Sequence, residues 1–259
     1  MAELDRLDRD YGLGAMPSHA AEHRARRPPR TRGPVLPGLL ITAILLGAVV
    51  ALSPDANMRT LRGLVGFGPE AGEGNYAFMM TQPAGQSPVG YSPCKDIPVA
   101  VNPQGAPDNW EELVDTAISH TSDATGLQFR RVGTTDSRAF DGGRTMNGEF
   151  PPVLVAWASS DEVPELAGMI AGVGGSTAVE VGPARLQYVT GQVVLDAEDF
   201  ADMRFDSEMQ AIVDHEFGHL VGLDHVDDRG ELMNGRNVGA TTYGPGDLEG
   251  LERLGDVDC

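Results

Sequence analysis

The chain has 259 residues, enough for one sizeable domain with an appendage but not for several full domains. Hydrophobic residues at 41% and charged residues at 22% exclude global disorder, and a formal net charge of −19 excludes nucleic acid as a partner, because phosphate binding needs a basic face. Two cysteines allow one bridge at most, and 33 glycines with 18 prolines predict many turns.

Charge divides along the chain. Of 19 basic and 38 acidic residues, seven arginines and five acids fall in residues 1–34, leaving a basic head on a strongly acidic body. No charge occurs from Gly33 to Pro54, and Val35–Leu52 reads VLPGLLITAILLGAVVAL. As a helix rising about 1.5 Å per residue, this run spans roughly 27 Å, enough to cross a bilayer's hydrocarbon core. Arg24, Arg26, Arg27, Arg30 and Arg32 crowd the stretch just before it. The positive-inside rule therefore predicts a single-pass anchor in the cell membrane, with residues 1–34 as a cytoplasmic tail and the acidic body extracellular. A second reading of the same run is a cleaved signal peptide, with small residues at Val49 and Ala51 as the cleavage site and a secreted product. The tail of 34 residues is long for a signal n-region and favours the anchor. On either reading the body is exported. Residues 53–74 are Gly-rich and weakly patterned, which predicts a linker, and 75–259 is the folded domain.

Within the body, Ile97–Asn102 alternates as a strand. Asp108 as N-cap, with Glu111 three residues on, predicts a capping box and a helix over about 109–122, stopped by Gly126. Leu127–Val132 alternates as a second strand, and Val153–Ala158 is a third, continuously apolar one. Gly172–Gly175 reads as a glycine-rich loop, and Val179–Val181 and Gln192–Asp196 as two short strands. Apolar residues at helical spacing predict a helix over Met209–Leu223. A last short helix carries Leu248, Leu251 and Leu254, with Asp247 as its N-cap. Helices interspersed with strands in this order give an α+β or three-layer α/β architecture.

The chemistry concentrates in His215-Glu216-Phe217-Gly218-His219-Leu220-Val221-Gly222-Leu223-Asp224-His225. On a helix, His215 and His219 leave one face and converge on a single ion. Gly222 lets the chain leave the helix sharply and bring His225 back as a third nitrogen ligand. Three nitrogens leave tetrahedral Zn²⁺ one open position, the arrangement of a catalytic rather than a sealed structural site. Glu216 lies beside the first ligand, placed to accept a proton from water. A lone histidine on a helix is ordinarily a core or surface residue, but here three of six histidines fall within eleven residues at ligand spacing.

These eleven residues match HExxHxxGxxH, and the chain resembles the metzincin zinc endopeptidases, most closely the matrixin family in a bacterial-type form. The resemblance covers about residues 90–255. It implies a zincin-like α+β fold of three layers, with a mixed, mostly parallel sheet of about five strands, an active-site helix, a methionine turn and a closing helix over Gly244–Gly255. It further implies one catalytic zinc on His215, His219 and His225, Glu216 as general base, Met233 in the methionine turn Glu231–Asn234, and a protein or peptide substrate. Two positions depart from the family pattern: Val226 stands where a Ser is usual after the third histidine, and Asn234 where a Tyr or Pro follows the methionine. The inhibitory cysteine motif of the family's prodomain is absent.

Cys94 has two readings: a thiolate in the zinc's open position in a latent form, or half of a disulfide with Cys259. Export favours the bridge. The run Asp196, Glu198, Asp199, Asp202 is read as a solvated acidic turn, with structural Ca²⁺, which matrixins carry, as the second reading. Asp214 and Asp224 flank the ligands and are candidates to orient imidazole N–H groups. Tyr243 is a weak candidate for the oxyanion side, and Asn234–Gly246 for one wall of the substrate pocket. A third ligand from Glu249 or Glu252 is the rival metal site. The rival function is a non-catalytic zinc-binding module at the cell surface. The favoured reading is a membrane-anchored extracellular zinc endopeptidase.

Overall fold

The structure, a computed structural model, describes residues 74–83, 85, 87–138, 149–236 and 239–259. The tail 1–34, the apolar run Val35–Leu52 and residues 53–73 lie outside them, and among the described residues no helix is long and apolar enough to cross a membrane. In chain order the elements are β1 (Ala77–Phe78), β2 (Ile97–Asn102), α1 (Trp110–Thr125), β3 (Phe129–Thr134), β4 (Val153–Ala158), a 3-10 turn (Pro164–Leu166), β5 (Gly172–Gly182), β6 (Arg185–Asp196), α2 (Ala197–Asp202), α3 (Asp206–Val221), β7 (Leu223–Asp224) and α4 (Pro245–Gly255).

Five strands form a sheet in the order β3-β2-β4-β6-β5. The pairs β2–β3, β2–β4 and β4–β6 are parallel, and β5 returns antiparallel on β6 to make one edge. Every residue of β4 is buried, as a strand covered on both faces must be, which is why its sequence is apolar without alternation. Val99, Val101, Val155, Trp157, Val193 and Leu195 join Val114, Val213, Phe217, Leu220 and Leu254 of the helices in one core. Ala158 and Val194 turn to the other face, where Val163 and Leu166 cover them. The third layer is thus reduced, among the described residues, to the segment carrying the 3-10 turn. Each fully buried Leu or Phe here is worth about 2 kcal/mol of apolar transfer, so this core carries most of the fold.

Three local expectations are corrected. Asp108 does not cap α1: the N-cap is Asn109, and no side chain caps the helix. The Pro107 carbonyl accepts the Trp110 N–H, while Asn109 Nδ2 reaches Asp206 of α3 at 3.0 Å and Glu111 turns to Arg131. The second strand starts at Phe129 rather than Leu127, because the Leu127 N–H is bound by Thr125 Oγ1 at 3.0 Å and its side chain is spent in the core. The glycine-rich loop is not a loop. Gly172–Gly182 and Arg185–Asp196 form one long hairpin, and the two short strands merge into it. The glycines are there for close approach to α3, shown below, and not for turning.

The acidic run also resolves locally. Asp196 is the N-cap of α2 and accepts the Glu198 and Asp199 N–H groups at 2.8 and 3.0 Å. Burial, with the charges of Asp196 and Asp202, raises the Asp199 carboxyl above its usual range.

Cys94 and Cys259 are joined as a disulfide with their Cα atoms 5.7 Å apart, which rules out Cys94 as a latent zinc ligand. The bridge spans 165 residues and ties the entry of β2 to the end of the chain. In the chain-entropy treatment a loop of that size stabilises by about 5 kcal/mol, and measured values fall nearer 2–4 kcal/mol. The Cys94→Ser/Cys259→Ser variant is therefore expected to lose about 3 kcal/mol in urea unfolding. A loss below about 0.5 kcal/mol, or free thiols in unreduced mass spectra, contradicts the bridge.

Candidate active site

Helix α3 is buried on both sides, with Met209, Val213, Phe217 and Leu220 in the core and His215, Glu216 and His219 on the cleft side. It stops at Gly222, whose φ of 124° is reserved for glycine, and whose N–H bonds the Gly218 and His219 carbonyls at 3.1 Å each. The chain then runs through β7, which pairs antiparallel with β1 (Phe78 opposite Leu223, Ala77 opposite Asp224). That short pairing delivers His225 to the two helical histidines.

The three rings converge. His225 Nε2 lies 3.1 Å from both His215 Nε2 and His219 Nε2. His215 Nδ1 faces the Leu232 carbonyl at 2.7 Å, and His219 Nδ1 faces the Leu223 carbonyl at 2.7 Å. A carbonyl only accepts, so each Nδ1 carries the hydrogen. Burial, first of all, holds His215 down at about 3 and His219 at about 4, so both rings are neutral near pH 7. Their Nε2 lone pairs therefore both point at the His225 Nε2 and are free to bind one cation placed among the three rings. Tetrahedral zinc with Zn–N of 2.0–2.1 Å sets nitrogens about 3.3 Å apart, so the donor set fits that ion. Among the described residues no other group of three or more histidine, cysteine or carboxylate residues could hold a metal.

Glu216 sits in the same cleft, 5% exposed, and its Oε2 has no hydrogen-bond partner. Burial pushes its carboxyl up to about 8, against the opposing pull of the Gly174 N–H. Strand β5 closes over it. A Cβ on Gly172 would stand 2.8 Å from Glu216 Cγ, and one on Gly174 would stand 2.3 Å from the Glu216 carbonyl oxygen. Only glycine lets the strand come this close, a requirement set by α3 that the glycine-rich pattern, which reads as a loop, does not reveal.

Met233 is 1% exposed, and its sulfur occupies the space a Cβ on Gly218 would need. Its carbonyl accepts the Val226 N–H at 3.0 Å, and Asn234 Nδ2 donates to the Val226 and Asp228 carbonyls at 3.2 and 3.0 Å. The two residues that depart from the family pattern are thus bonded to each other, one behind His225 and one behind Met233.

Asp247 is not the N-cap of α4; that residue is Gly244. The Asp247 carboxylate, at 0% exposure, accepts N–H groups from Leu232, Met233 and Gly244. Glu231 answers from the other side, accepting the Gly246 and Asp247 N–H groups at 3.0 and 2.9 Å. This reciprocal clasp fixes the Met turn, and with it the Leu232 carbonyl that orients His215. Neither residue's role was visible from local pattern.

The remaining candidates fall elsewhere. Asp214 is bound by His120 Nδ1 at 2.8 Å and by Gln210, and Asp224 accepts the backbone N–H of His225, so backbone carbonyls and not these carboxylates orient the imidazoles of His215 and His219. The Tyr243 hydroxyl donates to the Asp214 carbonyl and is taken away from the cleft. Glu249 accepts from Tyr76 and Arg253, and neither it nor Glu252 joins the histidine group. The cleft has a volume of about 490 Å³. From the segment Asn234–Gly246, only Asn234 and Gly235 line it among the described residues. Met79, Glu165, Met169 and Ile170 add walls that the sequence reading did not anticipate.

Comparison with known proteins follows from this geometry. A family model described as matrixin matches residues 99–243. Similar solved structures include archaemetzincin from Methanopyrus kandleri, at 14% identity and a TM-score of 0.41 over 61% of this chain and 93% of that one. Another is the GM1-bound form of the ECX AB5 holotoxin, at 12% identity and a TM-score of 0.38 over 64% and 83%. No curated protein matches. The family match spans more than half of the chain and contains all three converging histidines, so the chain belongs to the matrixin family of zinc metallopeptidases.

Proposed function

We propose that the protein is a membrane-tethered, outward-facing endopeptidase in which His215, His219 and His225 hold one zinc and Glu216 is the general base. The observation that carries this reading is the meeting of three imidazole nitrogens beside an unpartnered, buried carboxylate in a single cleft. Zinc, when bound there, supplies Lewis acidity that polarises the scissile carbonyl and lowers the pKa of water toward about 7. Glu216 takes the proton of the attacking water and hands it to the leaving amine. Its environment suits both halves of that task, since burial raises the carboxyl while a nearby dication acts in the opposite direction. The edge strand β5 offers its backbone groups to an extended peptide, which would add as one more strand.

Export is supported by the Cys94–Cys259 disulfide, and tethering by the uncharged run Val35–Leu52 behind five arginines. The test is metal content and turnover together. The purified chain is expected to carry one zinc by elemental analysis and to cleave quenched peptides or casein. Chelation should abolish the cleavage, and one equivalent of zinc should restore it. A zinc-loaded chain that cleaves nothing would instead be the non-catalytic surface module.

A further inference from the structure

Three carboxyl side chains line the catalytic cleft, those of Glu165, Glu216 and Asp224. Among the described residues no lysine or arginine lines it. Glu216 faces the histidines, and Asp224 accepts the His225 N–H at 2.7 Å. Glu165 is different: it is exposed, lies in the 3-10 turn that precedes β5, and makes no hydrogen bond or ion pair within the described residues. Met169 and Ile170, 97% and 45% exposed, line the same cleft, which thus offers an unpaired carboxylate and uncovered apolar surface together.

We infer that Glu165 is a specificity-determining residue, and that the substrates are polypeptides carrying a lysine or arginine near the cleaved bond. A long basic side chain matches this cleft in both these parts. Its methylene stem covers Met169 and Ile170, and its charged end reaches the Glu165 carboxylate. An acidic side chain at that position meets like charge, and a purely apolar one fills the stem's place but leaves the carboxylate alone. The charge of the body acts in the same direction at longer range. With 33 acidic against 12 basic residues after residue 34 (38 less five, 19 less seven), its field attracts cationic segments and repels anionic ones. This inference rests on the peptidase reading above and names its substrate class.

The experiment uses the full, zinc-loaded chain and sets of quenched peptides that differ at one position at a time on either side of the cleaved bond, bearing lysine, norleucine or glutamate. At one position the lysine peptide is expected to exceed the norleucine peptide about twofold to fivefold in kcat/KM, the range of an exposed charge pair, with the glutamate peptide slowest. That preference should shrink as salt is raised from about 50 to 500 mM, because exposed charges are screened. Glu165→Gln should bring the lysine-to-norleucine ratio near one, and Glu165→Lys should invert the order of lysine and glutamate. Ratios are compared within each variant, so a general loss of activity does not mimic the effect, and Gln serves where Lys destabilises the turn. Cleavage without a charge preference, or a preference that survives both substitutions, overturns this assignment and leaves the peptidase intact. No cleavage of any peptide by the zinc-loaded chain overturns both.

Discussion

Glu216→Gln is expected to lower kcat/KM for peptide hydrolysis by about a thousandfold while zinc content stays at one per chain. The substitution keeps the shape of the side chain and removes only its ability to take a proton. General acid–base catalysis contributes about 10²–10⁴-fold, and in the reaction proposed above one group serves both the attacking water and the leaving amine, which places the loss in the middle of that range or above it. The histidines keep their own supports, since the Leu232 and Leu223 carbonyls hold His215 and His219 independently of Glu216. Measured together, turnover and metal content separate the base from a ligand. A variant that loses zinc would make Glu216 part of the metal cage, and one with unchanged turnover would remove it from the chemistry.

Asp247→Ala is expected to cost about 4 kcal/mol of stability and to loosen the metal site with it. The carboxylate is fully buried and accepts three backbone N–H groups. Each buried donor left without a partner costs about 1–3 kcal/mol, and part of that sum is recovered because a buried carboxylate near Glu231 is itself unfavourable. Asp247→Asn keeps one acceptor and should lose less than half as much. Because burial raises this carboxyl to about 6, above its unfolded value, the native state holds the proton more tightly than the unfolded chain does. Its linkage therefore favours the fold below about pH 4, and that contribution is lost as pH rises through 6. Urea unfolding across pH 4–7, for the parent and both variants, reads both effects. Equal midpoints for parent and Ala variant would remove Asp247 from the framework.

What could be read from the sequence is what depends on neighbours along the chain. The i, i+4 histidines, the helix-ending Gly222 and the apolar run of β4 are local patterns, and each lies where its spacing predicts. What could not be read depends on distant partners. The first half of β5, residues 172–176, is mostly glycine, a poor strand former by itself, and becomes a strand because β6 pairs with it and α3 needs a wall without side chains. Asp247 looked like a cap because it starts a helix, yet two of its partners, Leu232 and Met233, lie 15 and 14 residues back. Asp108 and Glu111 form a capping box on paper that the structure replaces with the Pro107 carbonyl, a competition that pattern alone does not rank.

The strand pairing of Ala77–Phe78 with Leu223–Asp224 limits where the chain tolerates proteolysis. Met79 donates to the Gly222 carbonyl and Asn75 reaches Asp228, on either side of the third imidazole, while Tyr76 binds Glu249 of α4, so residues 74–79 are stitched to both segments. Cleavage of the chain before Gly74 would leave every one of these contacts whole. Cleavage a few residues further on, past Phe78, would remove the strand that backs Leu223–Asp224 and leave His225 without its support.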